Sequence, residues 1–251
     1  MVCAAAFAEK PDEVALLNLW QKQKQDPQNH AAIIQCAETF QQEFGTSTLV
    51  PVAIGLAAWH QLKAGNTQEA LRLFDGLAVK GKTPLSVAGQ EMAFCWLSRL
   101  DMKAVKEGLR QVFAENIEYP DTLAPVGNLP ANVRPPLADR WGTPWSYSPC
   151  DFKRIKAGPK SSFVLQSTKL GEMSDFEKAL ARPYGGGGTL SITQMPPMNG
   201  KALLKVGGMG SAQVLVGEGG VSGCISFPYS SDALLILSNG DYWFIEKAPQ
   251  N

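Results

Sequence analysis

Two histidines, His30 and His60, are the residues in this 251-residue chain whose type most readily moves a proton or holds a metal. Neither has a Cys, Asp or Glu at metal-ligand spacing, so each reads as a helix-surface or packing residue. The five cysteines, Cys3, Cys36, Cys95, Cys150 and Cys224, are odd in number and irregularly spaced, with no C-x-x-C pair. That pattern indicates neither a zinc site nor a disulfide scaffold. Cys36 and Cys95 lie in apolar helical patterns and read as small core residues. The acidic group Glu172, Asp175 and Glu177 is followed by Lys178 and Arg182. Calcium needs about six to eight oxygens from a tight loop, so a short helix is the expectation there. The glycines of "PYGGGGT" and "VGGMGSA" lack the Gly-Lys-Ser/Thr ending of a phosphate loop and read as turn residues. No G-x-S-x-G, H-E-x-x-H or paired-carboxylate pattern is present to carry hydrolysis. Asp139 and Asp151 would meet only through folding, and Asp139 is placed to bond the turn before Trp141. The expectation is no catalytic residue, no metal ligand and no cofactor.

The elements that would position such groups differ along the chain. Apolar residues make up 45% and charged residues 18%, with 23 cations balanced by 23 anions, so the chain is globular and lacks the basic stripe of a nucleic-acid binder. No apolar run approaches the roughly 20 residues of a membrane span. Ala6-Phe7-Ala8 has the A-x-A form of a signal-peptidase site. The start is therefore either a short frayed end or the tail of an export signal. The first option leaves the protein cytoplasmic and the second makes it exported or periplasmic.

From 11 to 116, apolar residues recur at helical spacing. Ala70, Leu73, Phe74, Leu77 and Ala78 form one face, repeated 35 residues later by Val105, Leu109, Val112 and Phe113. The preceding helices match in the same register: Ala53 with Ala88, Ala58 with Ala93, Trp59 with Phe94, Leu62 with Leu97. A period near 34 with two helices per unit marks a tetratricopeptide array. "AGNTQEALRLF" resembles that family's turn and second helix, with Gly65 ending the first helix and Ala70 and Phe74 at its A-x-x-x-F positions. Leu100 stands at the Gly65 position of the next unit, and the family's Trp-Leu-Gly pattern is missing. With a pair over 12–25 and 27–44, the reading is three helical hairpins. The resemblance implies a surface for a peptide or protein partner.

The next stretch is rich in proline yet loaded with large aromatics. Pro120 ends the preceding helix. Trp141 and Tyr147 can bury an apolar body while keeping a polar tip bonded, Gly142 permits a turn, and Pro144 sits where a strand begins. Stapling by these aromatics orders the segment; a ligand-stacking site is the alternative. Residues 103–171 resemble the C-terminal part of the type II secretion major pseudopilins. The matching positions are Asn116, Tyr119, Pro120, Thr122 and Leu123, then Asp139, Trp141, Gly142, Pro144 and Tyr147, and the strand "SSFVLQSTKLG". The family's long apolar N-terminal helix is absent, and helical hairpins occupy its place.

From 185 to 247, short apolar or alternating runs separated by glycine and proline read as β-strands, with Asn239-Gly240 as a hairpin turn. The chain is therefore α+β: an N-terminal helical hairpin array packed on a C-terminal antiparallel β-rich half, joined by a helix over 103–116 that serves both. Two functions follow. The first is a non-catalytic protein-binding adaptor or scaffold of the bacterial cell envelope, in secretion or pilus-like machinery. The second is a small-ligand binder or enzyme with a pocket between the halves, lined by Trp141, Trp145 and Tyr184.

Overall fold

The structure, a computed structural model, describes residues 10–150, 160–187, 191–198, 201–207, 212–216, 229–231 and 233–247. Ala6-Phe7-Ala8, Cys3, Cys224, Asp151 and most of the strand expected over 223–229 lie outside the described residues. The chain is α+β and divides into two compact units, Met1–Ala93 with Arg182–Asn251, and Phe94–Ala181. Among the described residues no helix is long and apolar enough to cross a membrane.

The first unit begins with four helices. In α1, Pro11–Gln25, proline opens the helix, Asp12 and Glu13 fill the first turn, and Lys22 and Lys24 fill the last, all matched to the helix dipole. In α2, His30–Glu43, the Asn29 side chain caps the start by accepting from the Ala32 N–H. α3, Val50–Lys63, and α4, Thr67–Leu77, are joined by a turn at Gly65, whose φ of 82° suits a residue without Cβ. The α4 face Ala70, Leu73, Phe74 and Leu77 is buried. Neighbouring helices pack in chain order, α1 on α2, α2 on α3, α3 on α4.

Three antiparallel strands, β3 (Ser191–Met198), β4 (Lys201–Gly207) and β5 (Ala212–Val216), follow in one sheet. A second sheet holds β6 (Tyr229–Ser230), β7 (Leu234–Ser238) and β8 (Trp243–Lys247), with Leu234 opposite Lys247 and Ser238 opposite Trp243. The β7–β8 turn is held by Asn239, whose side-chain oxygen accepts from the N–H groups of Asp241 and Tyr242. The β8 strand contacts α3: a Cβ on Gly55 would lie 2.5 Å from Nε1 of Trp243, so glycine there admits the indole.

Two sequence expectations need correction. The third hairpin is one continuous helix, α5, Pro84–Asn116. Thr83 and Ser86 bond reciprocally at its start. Between the two expected helices stands Leu100 with no glycine or proline near it, so nothing interrupts the hydrogen-bond ladder. The order of halves also differs. The C-terminal strands belong to the same unit as the first four helices, and the segment 94–181 forms its own unit. Residues 103–116 therefore serve that second unit alone, while 84–93 of the same helix belong to the first.

In the second unit, Met102, Val105, Leu109 and Val112 of α5 meet Val126, Trp145 and Leu165 in one core. The short α6, Ala124–Gly127, approaches closely because Gly108 lacks a side chain; a Cβ there would lie 2.9 Å from Cγ1 of Val126. β1, Ser146–Cys150, pairs antiparallel with β2, Ser162–Gln166. A 3-10 turn, Gly171–Ser174, and α7, Phe176–Ala181, complete the unit. The helix α5 ends with Ile117 at φ 62°, a left-handed conformation rare for a β-branched residue.

Candidate functional site

Each unit contains one candidate region. In the first, His30 and His60 meet, with Nδ1 atoms 2.9 Å apart. His60 is fully buried and its Nε2 lies 2.6 Å from Oε1 of Gln23, also buried. With the Gln23 oxygen as acceptor, neutral His60 carries its proton on Nε2 and donates to Gln23. Its Nδ1 then accepts, so His30 donates from Nδ1. Burial first, then His30 and Lys63, brings the His60 pKa down to about 3. Burial and then Lys63 lower His30 as well.

Around this chain stand aromatic rings. Trp59 lies T-shaped to His60 and to Tyr184, at centroid distances of 4.9 and 5.0 Å, and Trp20 and Tyr242 also meet Tyr184 edgewise. The Tyr184 hydroxyl accepts from the Trp243 N–H at 3.0 Å, and burial raises its pKa far above the ordinary value. The buried indole N–H groups of Trp20 and Trp59 have no hydrogen-bond acceptor among the described residues. This is a hydrogen-bonded and ring-packed polar core, held neutral by its burial. No three His, Cys, Asp or Glu side chains gather as a metal set among the described residues.

The meeting of the histidines was missed in the sequence because they are 30 residues apart. The signal lies in helix direction. His30 opens α2, His60 is near the end of α3 and Gln23 near the end of α1. Antiparallel neighbours bring such positions to one end of a bundle.

In the second unit, Asp139 is buried and organises its turn. One carboxylate oxygen accepts from the N–H groups of Trp141 and Thr143, the other from the Ser167 hydroxyl at 3.0 Å. Gly142 closes the turn at φ 82° with its N–H bonded to the Asp139 carbonyl, and Pro144 bridges to Ala138. Trp141 stands edge-on to Phe94. Trp145 is in the core and donates its indole N–H to the Pro136 carbonyl at 2.8 Å. Tyr147 donates to the carbonyl of Pro120 at 2.7 Å; burial, then Asp121, pushes its phenol up to about 12. Tyr119 meets Phe113 at a tilt and Phe163 edge-on, and its N–H reaches the Lys160 carbonyl. Of the expected ligand-lining set, Trp141 and Trp145 belong to this unit and Tyr184 to the other. Trp145 and Tyr184 are each held in their own unit's packing.

Beside α5 lies a cleft of about 250 Å³ lined by Met102, Lys106, residues 163–166 of β2, and residues of the 171–178 segment. Its acids are Glu172 and Asp175. Asp175 caps α7 through the Lys178 N–H and bonds Lys106 at 2.6 Å, and that bond, outweighing burial, lowers its pKa. Glu177 pairs with Lys103. Comparison of the chain with protein-family models, characterised proteins and solved structures gives no match.

Proposed function

We propose that this chain is a non-catalytic protein-binding adaptor or scaffold of the bacterial cell envelope, working with secretion or pilus-like machinery. In this reading α1–α4 are tetratricopeptide-like hairpins, and the pseudopilin-like residues 103–171 lie in the 94–181 unit that meets the partner. The envelope setting rests on the resemblance of residues 103–171 to pseudopilins. The observation that carries the protein-binding reading is the distribution of exposed apolar side chains. Of five large ones among the described residues, Ile117, Val133, Leu137 and Val164 belong to the 94–181 unit, and only Val79 belongs to the other. Ile117 is 76% exposed although its backbone is strained, so folding alone gains nothing from it. Such side chains find burial on a partner.

The test is photocrosslinking in living cells, with the reactive residue placed in turn at Ile117, Val133, Leu137, Val164 and Val79. A discrete protein adduct from at least one of the first four, absent from Val79, is the expected result. No adduct from any of them contradicts the reading.

A further inference from the structure

We infer that the partner is bound as an added β-strand, an extended uncharged segment laid along the open edge of β2; this rests on the protein-binding reading above. Among the described residues the sheet contains β1 and β2 only, so there β2 has one edge without a strand partner. The cleft identifies which surface that edge meets. Phe163 and Leu165 pack toward the core while Val164 and Gln166 are exposed, yet all four line the cleft. A cleft on one face of a strand would touch alternate residues; one touching four in succession runs along the edge.

The two edges of this sheet are unlike. β1 carries Pro149, which has no N–H to offer a neighbour. β2 reads Ser-Phe-Val-Leu-Gln, without proline or charge, and Val164 is 46% exposed at its centre. Natural edges are normally guarded by such residues, and an unguarded one is a template for pairing.

The surroundings select the occupant. The cleft's volume lies below the roughly 300–1,000 Å³ of small-ligand pockets but admits a length of extended chain. Its far wall is α5 and the 171–178 segment, so the edge is recessed. A second copy pairing by two-fold symmetry would bring its own wall against this one, which favours an isolated segment or tail. Lys106 is neutralised by Asp175, and Glu172 and Lys178 balance each other on the rim, so a charged segment gains nothing. Residues of the added strand beside Phe163 and Leu165 turn toward Met102 and should be apolar; their alternates face solvent.

The test pans phage-displayed random linear peptides on the full chain. One enriched sequence is then made unmodified and N-methylated on either alternating set of residues. Calorimetry should show one methylated set binding about tenfold weaker or worse and the other nearly unchanged, since only every second N–H of an added strand faces the edge. Val164→Lys should weaken the unmodified peptide by about tenfold or more, and Val79→Lys should leave it unchanged. Equal affinity of the three forms, equal loss in both methylated forms, indifference to Val164→Lys, or no enriched peptide overturns strand addition. The crosslinking experiment stands apart from these outcomes, because an adduct at Ile117 or Val133 would uphold a protein partner with no strand at β2.

Discussion

The histidine cluster of the first unit and the β2 cleft of the second use polar groups in opposite ways. His30, His60 and Gln23 have the chemistry of a site by type, but both ring nitrogens of His60 are bonded, one to His30 and one to Gln23, and His60 is sealed from water. The strand Ser-Phe-Val-Leu-Gln has no chemistry by type, yet its backbone edge has no partner strand among the described residues and lies along a cleft. Side-chain identity alone points to the first unit, whereas the strand-addition proposal rests on the second. In the strand-addition proposal the better guide is an open backbone edge beside a cleft, which gains hydrogen bonds from an added strand, whereas the indole N–H groups of Trp20 and Trp59, without acceptors among the described residues, are sealed inside the packing.

The largest effect should come from breaking the packed side of this contrast. Trp59→Ala removes a ring that is 2% exposed and touches His60, Tyr184 and Tyr242. It should cost about 3–5 kcal/mol in denaturant unfolding. Loss of well under about 1 kcal/mol would mean that the cluster is not a core.

A pH titration sharpens the same side. Folded His60 takes its proton only near pH 3, whereas an unfolded histidine does so near the ordinary value of 6.5. Between those values the unfolded chain binds more protons, so stability is full above about pH 6.5 and falls as pH drops toward 3. His30, lowered too, acts in the same direction. The loss should approach about 1.4 kcal/mol per pH unit and total a few kcal/mol. His60→Gln should flatten the slope; an unchanged slope would remove His60 as its cause.

Helix glycines compare the units at smaller scale. Gly108→Ala in α5 should destabilise by about 1 kcal/mol, because the strain of crowding Val126 and Leu129 exceeds the gain in helix propensity. Gly76→Ala in α4, where a Cβ meets nothing, should stabilise by up to about 1 kcal/mol. Equal signs for the two would refute the close approach of Val126. On the surface of the second unit, Ile117→Gly should stabilise by roughly 0.5–1 kcal/mol, because it relieves a left-handed β-branched residue. It should also weaken whatever contact Ile117 makes with a partner. Destabilisation would show that the isoleucine serves the fold.

How much of this was legible depends on distance along the chain. The α4 face, the Gly65 turn and the Asp139–Gly142 turn rest on residues within a few positions of one another, and their types alone suggest the local geometry. The continuity of α5 was hidden by the repeat register, although Leu100 is the residue that shows it. The packing of Trp243 against Gly55 joins residues 188 positions apart, and nothing in either segment's pattern names the other. The same holds for the grouping of the C-terminal strands with the first helices. The cleft was illegible for another reason. An open edge is a property of what fails to pair, and the sequence of β2 alone reads as any half-buried strand.

Hydrogen exchange of the full chain, with and without an enriched peptide, tests the central contrast most directly. Slowed exchange within 162–166, with 20–30 and 59–63 unchanged, is the result expected here. Slowed exchange at 20–30 or 59–63, with 162–166 unchanged, would place binding at the histidine cluster and contradict the account.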